Sequence, residues 1–195
     1  MTHIPATPWG QFALVSYLPD PLAGFIHRLR GSLPGIGNPQ AHITILPPRP
    51  LRRPVRVAAD QVRNALRNFP PFAVQLTRVS RFPETNFLYL EIGEGNGALH
   101  SMHDALNEGD LACEETFEFR PHLTLGGPVP EDCLDEARGR AEDLWRSAVY
   151  PPRFTLEDVV FLWLPPNSTQ HDWERLWTHR LTACSNGAAL AEPRP

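Results

Sequence analysis

The sequence contains no lysine, since all 18 of its basic residues are arginine. This absence excludes a lysine nucleophile, a Schiff-base lysine and the lysine of a nucleotide-binding P-loop. Cysteine is also scarce: only Cys113, Cys133 and Cys184 occur, and no two of them form a C-x-x-C pair. An odd number of scattered cysteines is typical of reduced, structural thiols, so we expect a cytoplasmic protein without a disulfide framework.

Long apolar segments and a strong excess of charge are missing as well. No apolar run approaches the roughly 18 residues of a membrane span, and residues 1–9 lack the basic-then-apolar pattern of a signal peptide. The net charge of −4 argues against a protein that coats nucleic acid regardless of sequence, although it allows a local basic patch. A chain of 195 residues suits one medium domain or two small lobes that share a core.

What the sequence does contain is one short pattern that occurs twice. His42-Ile43-Thr44-Ile45 and His122-Leu123-Thr124-Leu125 both read His-apolar-Thr-apolar. Side chains alternate between the two faces of a strand, so each His shares a face with its Thr while the apolar residues point the other way. The apolar face can enter a core. Two such strands opposite each other would present two imidazoles and two hydroxyls to one ligand in a cleft.

The periodicity of the whole sequence predicts an α+β fold. The element order is β-α-β-α-β-β-α-β-α-β-β, with a motif strand between two helices in each half. We therefore expect two pseudo-symmetric lobes of antiparallel β-sheet with outer helices and an active-site cleft between them, in a single domain over residues 1–182. Residues 183–195 show no pattern and are predicted to form a flexible tail. The predicted strands are 10–18, 41–46, 72–82, 86–93, 116–126, 153–164 and 172–181, and the predicted helices are 21–32, 55–69, 96–107 and 130–148.

The two motifs resemble those of a known family. His-Ile-Thr-Ile and Arg-Pro-His-Leu-Thr-Leu-Gly, the latter at residues 120–126, are similar to the paired motifs of the 2H phosphoesterase superfamily, and within it to the bacterial 2′-5′ RNA ligase and RNA 2′,3′-cyclic phosphodiesterase group. The resemblance covers about residues 12–181, because the predicted element order also matches that family's duplicated two-lobe fold. It implies a phosphodiesterase that needs no metal, ATP or other cofactor and acts on an RNA terminus or nucleotide carrying a 2′,3′-cyclic phosphate.

Two imidazoles suit the opening of a cyclic phosphate. Histidine has a pKa near 6.5, so at neutral pH one imidazole can take a proton from water while the other gives a proton to the leaving ribose oxygen. Two hydroxyls can donate hydrogen bonds to the non-bridging oxygens and stabilise the developing charge. The resemblance implies that His42 and His122 are the acid and base, in an order that the sequence leaves open, and that Thr44 and Thr124 bind the phosphate. The reverse reaction would be 2′-5′ ligation.

Arginines near the motifs are candidates for further substrate contacts. Arg120 lies two positions before His122 and would share its strand face, where it could reach a phosphate or pair with Glu118. Arg49 and Arg52 belong to a stiff, proline-rich loop predicted at 47–54. This loop would either bind the backbone of an RNA or be an ordinary solvated loop.

Two further side-chain patterns have weaker interpretations. Phe87 and Tyr89 are predicted on one strand face, where they would stack on a base or simply pack within the sheet. His100 and His103 lie at i, i+3 on a predicted helix, but no carboxylate or cysteine pattern accompanies them, so no metal site is predicted.

Two other functions fit the same residues. The first is a binding module that holds a nucleotide without turning it over, although binding alone would not require both histidines. The second is an enzyme whose substrate is a small cyclic phosphate and not RNA. The basic loop would instead favour a longer polyanion as the substrate. A monomer without membrane contact is the expectation, while the oligomeric state and the balance of hydrolysis and ligation stay open.

Overall fold

The computed structural model describes residues 7–35, 39–169 and 172–182, so the predicted tail 183–195 lies outside the described residues. Within these ranges the chain forms eight strands and four α-helices. The strands are β1 Gln11–Tyr17, β2 His42–Pro50, β3 Phe72–Arg81, β4 Leu88–Ile92, β5 His122–Gly126, β6 Arg153–Leu156, β7 Asp158–Leu164 and β8 Glu174–Arg180. The helices are α1 Leu22–Arg30, α2 Val55–Leu66, α3 Asn96–Leu106 and α4 Leu134–Arg146. None of the helices in these ranges is both long and apolar enough to cross a membrane.

The strands form two antiparallel sheets of four. The first sheet has the order β2-β1-β7-β8, and the second has the order β5-β4-β3-β6. The chain passes from one sheet to the other and back: β1 and β2 belong to the first sheet, β3 to β6 form the second, and β7 and β8 complete the first. Each sheet carries one motif strand at its edge, and these two edge strands, β2 and β5, lie against each other. The predicted α+β fold of two lobes is therefore confirmed.

Alternation along the motif strands places their apolar residues in the core. Ile43, Ile45, Leu123 and Leu125 are completely buried, whereas the His and Thr residues between them are only half-buried. Burial of such a side chain contributes roughly 1.5–3 kcal/mol, and a slip of one residue would turn every side chain to the other face. The core thus fixes which way the motif histidines and threonines point.

The predicted loop at 47–54 is wrong in its first half. Strand β2 continues to Pro50, with Phe12 opposite Arg49 and Gln11 opposite Pro50 on β1. Prolines lack a backbone N–H, but an edge strand has one side that needs no sheet hydrogen bonds, so this strand accommodates them. The continuation carries Arg49 into the sheet and away from solvent.

Two other predicted strands differ from the observed ones, the first by being shorter and the second by being divided. The strand predicted at 116–126 begins only at His122, because the chain before it leaves the sheet and packs the Phe119 ring on His103, 3.9 Å between centroids. The strand predicted at 153–164 is interrupted at Glu157, and its halves β6 and β7 belong to different sheets. Both segments alternate in the sequence, so periodicity alone did not reveal these interruptions.

Candidate active site

The site is built on the facing edges of the two sheets. His42 lies opposite Tyr17 of β1, and Thr44 lies opposite Val15. On the other side His122 lies opposite Glu91 of β4. Residues directly opposite in antiparallel strands share a face, so these side chains line one surface of each sheet. Both motif surfaces face the same space, which we call the cleft.

Both imidazoles are held in the same way. The Nδ1 atom of His42 donates to the carbonyl oxygen of Gln40 at 2.7 Å, and the Nδ1 atom of His122 donates to the carbonyl oxygen of Arg120 at 2.6 Å. A carbonyl oxygen can only accept, so each Nδ1 must carry the hydrogen. In the neutral imidazole this leaves Nε2 with a free lone pair. Each motif therefore presents one nitrogen that can take up and release a proton.

Burial and nearby cations lower the pKa of both histidines. For His42 burial is the largest cause, the bond to Gln40 opposes it, and the positive charges of Arg30 and His122 lower the pKa further. For His122 burial again dominates, the bond to Arg120 O opposes it, and the guanidinium of Arg120 adds to the lowering. The neutral form of each ring is therefore favoured before an anion binds.

The two threonines complete each motif. Thr44 and Thr124 follow their histidines by two residues, about 6.6 Å along a strand, on the same face. Both are half-buried, and neither hydroxyl has a hydrogen-bond partner among residues 7–35, 39–169 and 172–182. Two hydroxyl donors therefore accompany the two ring nitrogens.

An aromatic ring stands beside each imidazole. Tyr17 contacts His42 edge to face, with centroids 6.0 Å apart. Phe82 and Tyr89 contact His122 at 4.8 Å and 5.5 Å. These rings restrict the tilt of the imidazoles and bury them, which accounts for the lowered pKa values.

An exposed arginine lies over a ring on each side of the cleft. The Arg175 guanidinium is 5.9 Å from the Tyr17 ring, and the Arg120 guanidinium is 5.7 Å from the Phe82 ring. Arg120 also donates to the Tyr89 hydroxyl at 3.2 Å, beside a cavity of about 270 Å³. Within the described ranges neither arginine forms an ion pair with a carboxylate. Arg175 donates to the Thr178 hydroxyl through Nε at 3.1 Å and through Nη2 at 2.6 Å, but this hydroxyl carries no charge, so the positive charge of each arginine is available to an anionic ligand.

Arg175 was missed by sequence reasoning, because its position depends on sheet order. It lies opposite Leu162 of β7, and Leu162 lies opposite Ala13 of β1. Ala13 shares a face with Tyr17, four residues along the strand. No local pattern shows that β8 joins the sheet that carries His42.

Arg30 was also missed, and it contacts both motif regions. Its Nε and Nη2 donate to the carbonyl oxygen of Thr124 at 3.0 Å and 2.6 Å, and its Nη1 donates to the carbonyl oxygen of Pro39 at 2.8 Å. It is 7% exposed, and burial lowers its pKa to about 10. One signal was present: Arg30 lies four residues after Ile26, on the apolar face of α1, where a charge is unexpected.

The expectation that Arg49 contacts RNA is wrong. The side chain is 1% exposed and forms an ion pair with Glu115. Its Nη1 donates to Asn107 Oδ1 at 2.6 Å and to the Leu111 carbonyl at 3.2 Å, and its Nε donates to the Pro47 carbonyl at 3.1 Å. Arg49 therefore ties β2 to the segment after α3 and has no free donor face for a phosphate.

Arg52 is exposed but lies outside the cleft. His42 begins β2 and Pro50 ends it, so at about 3.3 Å per residue Arg52 follows a strand roughly 26 Å long. Its neighbour Arg53 pairs with Asp110. The basic cluster is therefore at the opposite end of the first sheet from the histidine.

The predicted pair of stacking aromatics is not presented to a base. Tyr89 is 2% exposed, and its ring is covered by Phe82 at a centroid distance of 4.1 Å. Phe87 is half-buried and precedes β4, so it does not continue the alternation of that strand. Phe82 is the half-buried ring beside His122 that Arg120 also covers.

The helical histidines belong to a separate cluster. His103 contacts Glu115 through Nε2 at 2.9 Å and stacks on Phe119. Over the described ranges no group of three or more His, Cys, Asp or Glu residues is arranged to hold a metal ion.

Two antiparallel sheets with a His-x-Thr-x strand on each adjoining edge are the arrangement that the sequence predicts for a 2H phosphoesterase. Within that class, a family model described as the 2′-5′ RNA ligase superfamily matches residues 18–167, and the chain belongs to this superfamily.

Known proteins resemble this chain in sequence or in fold. A candidate phosphoesterase of Geobacillus kaustophilus is 29% identical over 129 residues, 62% of this chain and 70% of that protein. One from Oceanobacillus iheyensis is 30% identical over 102 residues, which is 52% of this chain and 55% of that protein. The crystal structure of Escherichia coli LigT in apo form aligns with a TM-score of 0.60 and 13% identity, covering 91% of this chain and 100% of LigT. LigT has also been solved in complexes with 3′-AMP and with phosphate.

Proposed function

We propose that the protein opens 2′,3′-cyclic phosphates of RNA ends or nucleotides to 2′-phosphates, without metal or ATP, and that the same site can run in reverse as a 2′-5′ RNA ligase. One observation carries this proposal. The two imidazoles have identical Nδ1 bonds to backbone carbonyls, so that both Nε2 atoms are available, and each has a hydroxyl donor two residues away. Acid-base opening of a phosphodiester requires a proton acceptor, a proton donor and hydrogen-bond donors to the phosphate oxygens, and these side chains can supply all of them.

The reaction uses each group once. The hydroxyls of Thr44 and Thr124 donate to the non-bridging oxygens of the cyclic phosphate. One imidazole accepts a proton from water at Nε2 while the water oxygen forms a bond to phosphorus. The bond from phosphorus to the 3′-oxygen breaks, and the second imidazole gives its proton to that oxygen. The product carries a 2′-phosphate and a 3′-hydroxyl, and both histidines exchange protonation states.

The lowered pKa values fit this cycle. Burial favours the neutral form of both rings before substrate binds, so either ring can act as the base. A phosphate anion between them favours the charged form of an imidazole and raises its pKa. Binding of the substrate therefore supplies the acid. Because both histidines have cationic neighbours, the assignment of acid and base is left to experiment.

Substrate contacts beyond the phosphate are proposed for Arg120 and Arg175, with Phe82 and Tyr17 beneath them. An arginine over an aromatic ring offers both a charge for a phosphate and a flat surface for a base. That LigT has been solved with 3′-AMP and with phosphate supports a nucleotide ligand for this fold.

A mixture of cyclic substrates tests the proposal. Purified protein in EDTA should convert 2′,3′-cyclic AMP and an oligonucleotide ending in a 2′,3′-cyclic phosphate to 2′-phosphates, identified by ³¹P NMR against authentic 2′- and 3′-phosphates. His42→Ala and His122→Ala should abolish conversion. Binding of 2′-AMP without any turnover by the wild-type protein would instead identify a nucleotide-binding module.

One observation favours a small substrate as the second candidate. Arg49 and Arg52, which follow the first motif, were the main argument for a long polyanion, but Arg49 is buried and Arg52 lies beyond the end of β2 that is far from His42. If the substrate is a small cyclic phosphate, kcat/KM for 2′,3′-cyclic AMP should be at least equal to kcat/KM for the oligonucleotide. If Arg52→Glu lowers only oligonucleotide turnover, RNA is the better substrate class.

A further inference from the structure

Arg30 is a buried cation that pairs with no carboxylate among the described residues. It is 7% exposed, and within the described ranges it forms no ion pair. Burial of a charge without an opposite charge beside it is costly, so the contacts that Arg30 makes in its place need a physical explanation. Three hydrogen bonds to backbone carbonyls offset part of that cost.

The two carbonyls that Arg30 holds belong to the two motif regions. Thr124 is the threonine of the second motif, and its carbonyl lies on β5, an edge strand whose outer backbone groups have no sheet partner. Pro39 directly precedes Gln40, whose carbonyl accepts from the His42 ring. One planar guanidinium therefore joins the backbone beneath Thr124 to the backbone that orients His42.

We propose that Arg30 is a positioning residue that fixes the two His-x-Thr-x motifs relative to each other, so that both address one phosphate. This inference rests on the proposed function. A lysine could supply the charge but not the bonds to both carbonyls, because its ammonium is a compact group without the fork of a guanidinium.

Arg30 also acts on His42 through its charge. The charged and titratable groups that face His42 are Arg30 from α1, Tyr17 from β1 and His122 from β5, with Arg175 of β8 beyond Tyr17. Removal of the Arg30 charge should therefore raise the pKa of His42 and leave that of His122 nearly unchanged, since Arg30 is not among the causes of its shift.

Three variants separate bonding, charge and fold. Arg30→Met removes both the charge and the fork, Arg30→Lys keeps the charge, and Arg28→Met is the matched control on the exposed side of the same helix. With a 2′,3′-cyclic nucleotide, we expect kcat to fall about 100-fold in Arg30→Met, since a displacement of about 1 Å has that effect, while KM changes less than about threefold. Arg30→Lys should restore the His42 pKa but not kcat. Arg28→Met should match the wild type in both.

Inorganic phosphate gives a readout that is independent of turnover. The His42 and His122 ring signals of the wild type, followed by NMR, should shift along one binding curve as phosphate is added. In Arg30→Met the two histidines should give different dissociation constants, or only one should respond, while thermal unfolding shows a folded protein.

The outcomes distinguish this proposal from the proposed function. If the wild type has no turnover but Arg30→Met separates the two phosphate curves, the enzymatic function fails and the positioning role stands. If Arg30→Met keeps one shared curve and a kcat like that of Arg28→Met, the positioning role is overturned. Should Arg30→Met not fold, Arg30→Lys decides: wild-type kcat in that variant contradicts the role of the guanidinium fork.

Discussion

The two halves of the cleft share their chemistry and differ in their surroundings. Each half has an imidazole bonded through Nδ1 to a carbonyl two residues earlier, and a threonine whose hydroxyl has no hydrogen-bond partner in the part of the chain that the structure describes. Around these common parts, His42 has Tyr17 and Arg30, whereas His122 has Phe82, Tyr89 and Arg120. The features that repeat are those that the reaction needs twice. The features that differ are the ones that can distinguish acid from base and one end of the substrate from the other.

The largest effect should come from the histidines themselves. His42→Ala and His122→Ala should each lower kcat by about 10²–10⁴-fold, because each removes one proton-transfer group. The double variant should be little worse than either single one, since the two act as a unit. Steady-state kinetics on a 2′,3′-cyclic nucleotide checks this, and multiplicative losses would show that the two halves work independently.

The threonines should come next. Thr44→Val and Thr124→Val remove a hydroxyl at constant shape and should each lower kcat about 100-fold, as the loss of one charge-stabilising donor does. Thr155→Val, at an exposed position of β6, is the control and should be silent. A large loss in only one of the two motif variants would mean that the phosphate is held by one half.

The pH profile should separate the two halves. Burial lowers the pKa of both histidines below the usual 6.5, so the protonated acid is lost as pH rises through a value below 6.5. The optimum of kcat/KM, which reports the free enzyme, should therefore lie below pH 6.5. Arg120→Met should raise the pKa of His122 alone, measured by NMR, and an optimum above pH 6.5 would contradict the burial argument.

Substrate arginines should have a smaller effect. Arg120→Met and Arg175→Met should raise KM for a cyclic-phosphate oligonucleotide by about three- to tenfold each, because exposed charge contacts contribute modestly, and leave kcat nearly unchanged. Exposed Arg138 of α4 provides the control, as Arg138→Met. Equal KM values for all three variants would show that neither Arg120 nor Arg175 contacts the substrate.

The smallest effect on activity is expected from Arg49, despite its burial. Arg49→Met removes one of the two partners of Glu115, which still contacts His103, and should lower the free energy of unfolding by about 1–3 kcal/mol. Below its unfolding temperature the variant should retain wild-type kcat, because Arg49 does not reach the cleft. Chemical denaturation and kinetics together check this, with exposed Arg52→Met as the stability control.

The motif strands and the overall fold were predictable because they depend on local alternation and element order. The apolar residues Ile43 and Leu123 showed which face of each strand enters the core, and so showed that the histidines lie on the other face. What the sequence did not show depends on long-range contacts. Arg49 and Arg175 are arginines in ordinary sequence contexts, and Arg30 stands out only by its place on the apolar face of α1. Sheet order and helix packing decide that Arg30 bridges the motifs, that Arg49 is buried and that Arg175 faces the cleft.

The central claim is that the two motifs form one phosphate site. The most direct measurement is a long-range ¹H–¹⁵N spectrum of the histidine rings during titration with 2′-AMP, the proposed product. Both rings should begin as neutral tautomers with the hydrogen on Nδ1. Their signals should then move along one binding curve while one Nε2 becomes protonated. Tautomers with the hydrogen on Nε2, or a response confined to one histidine, would contradict the account.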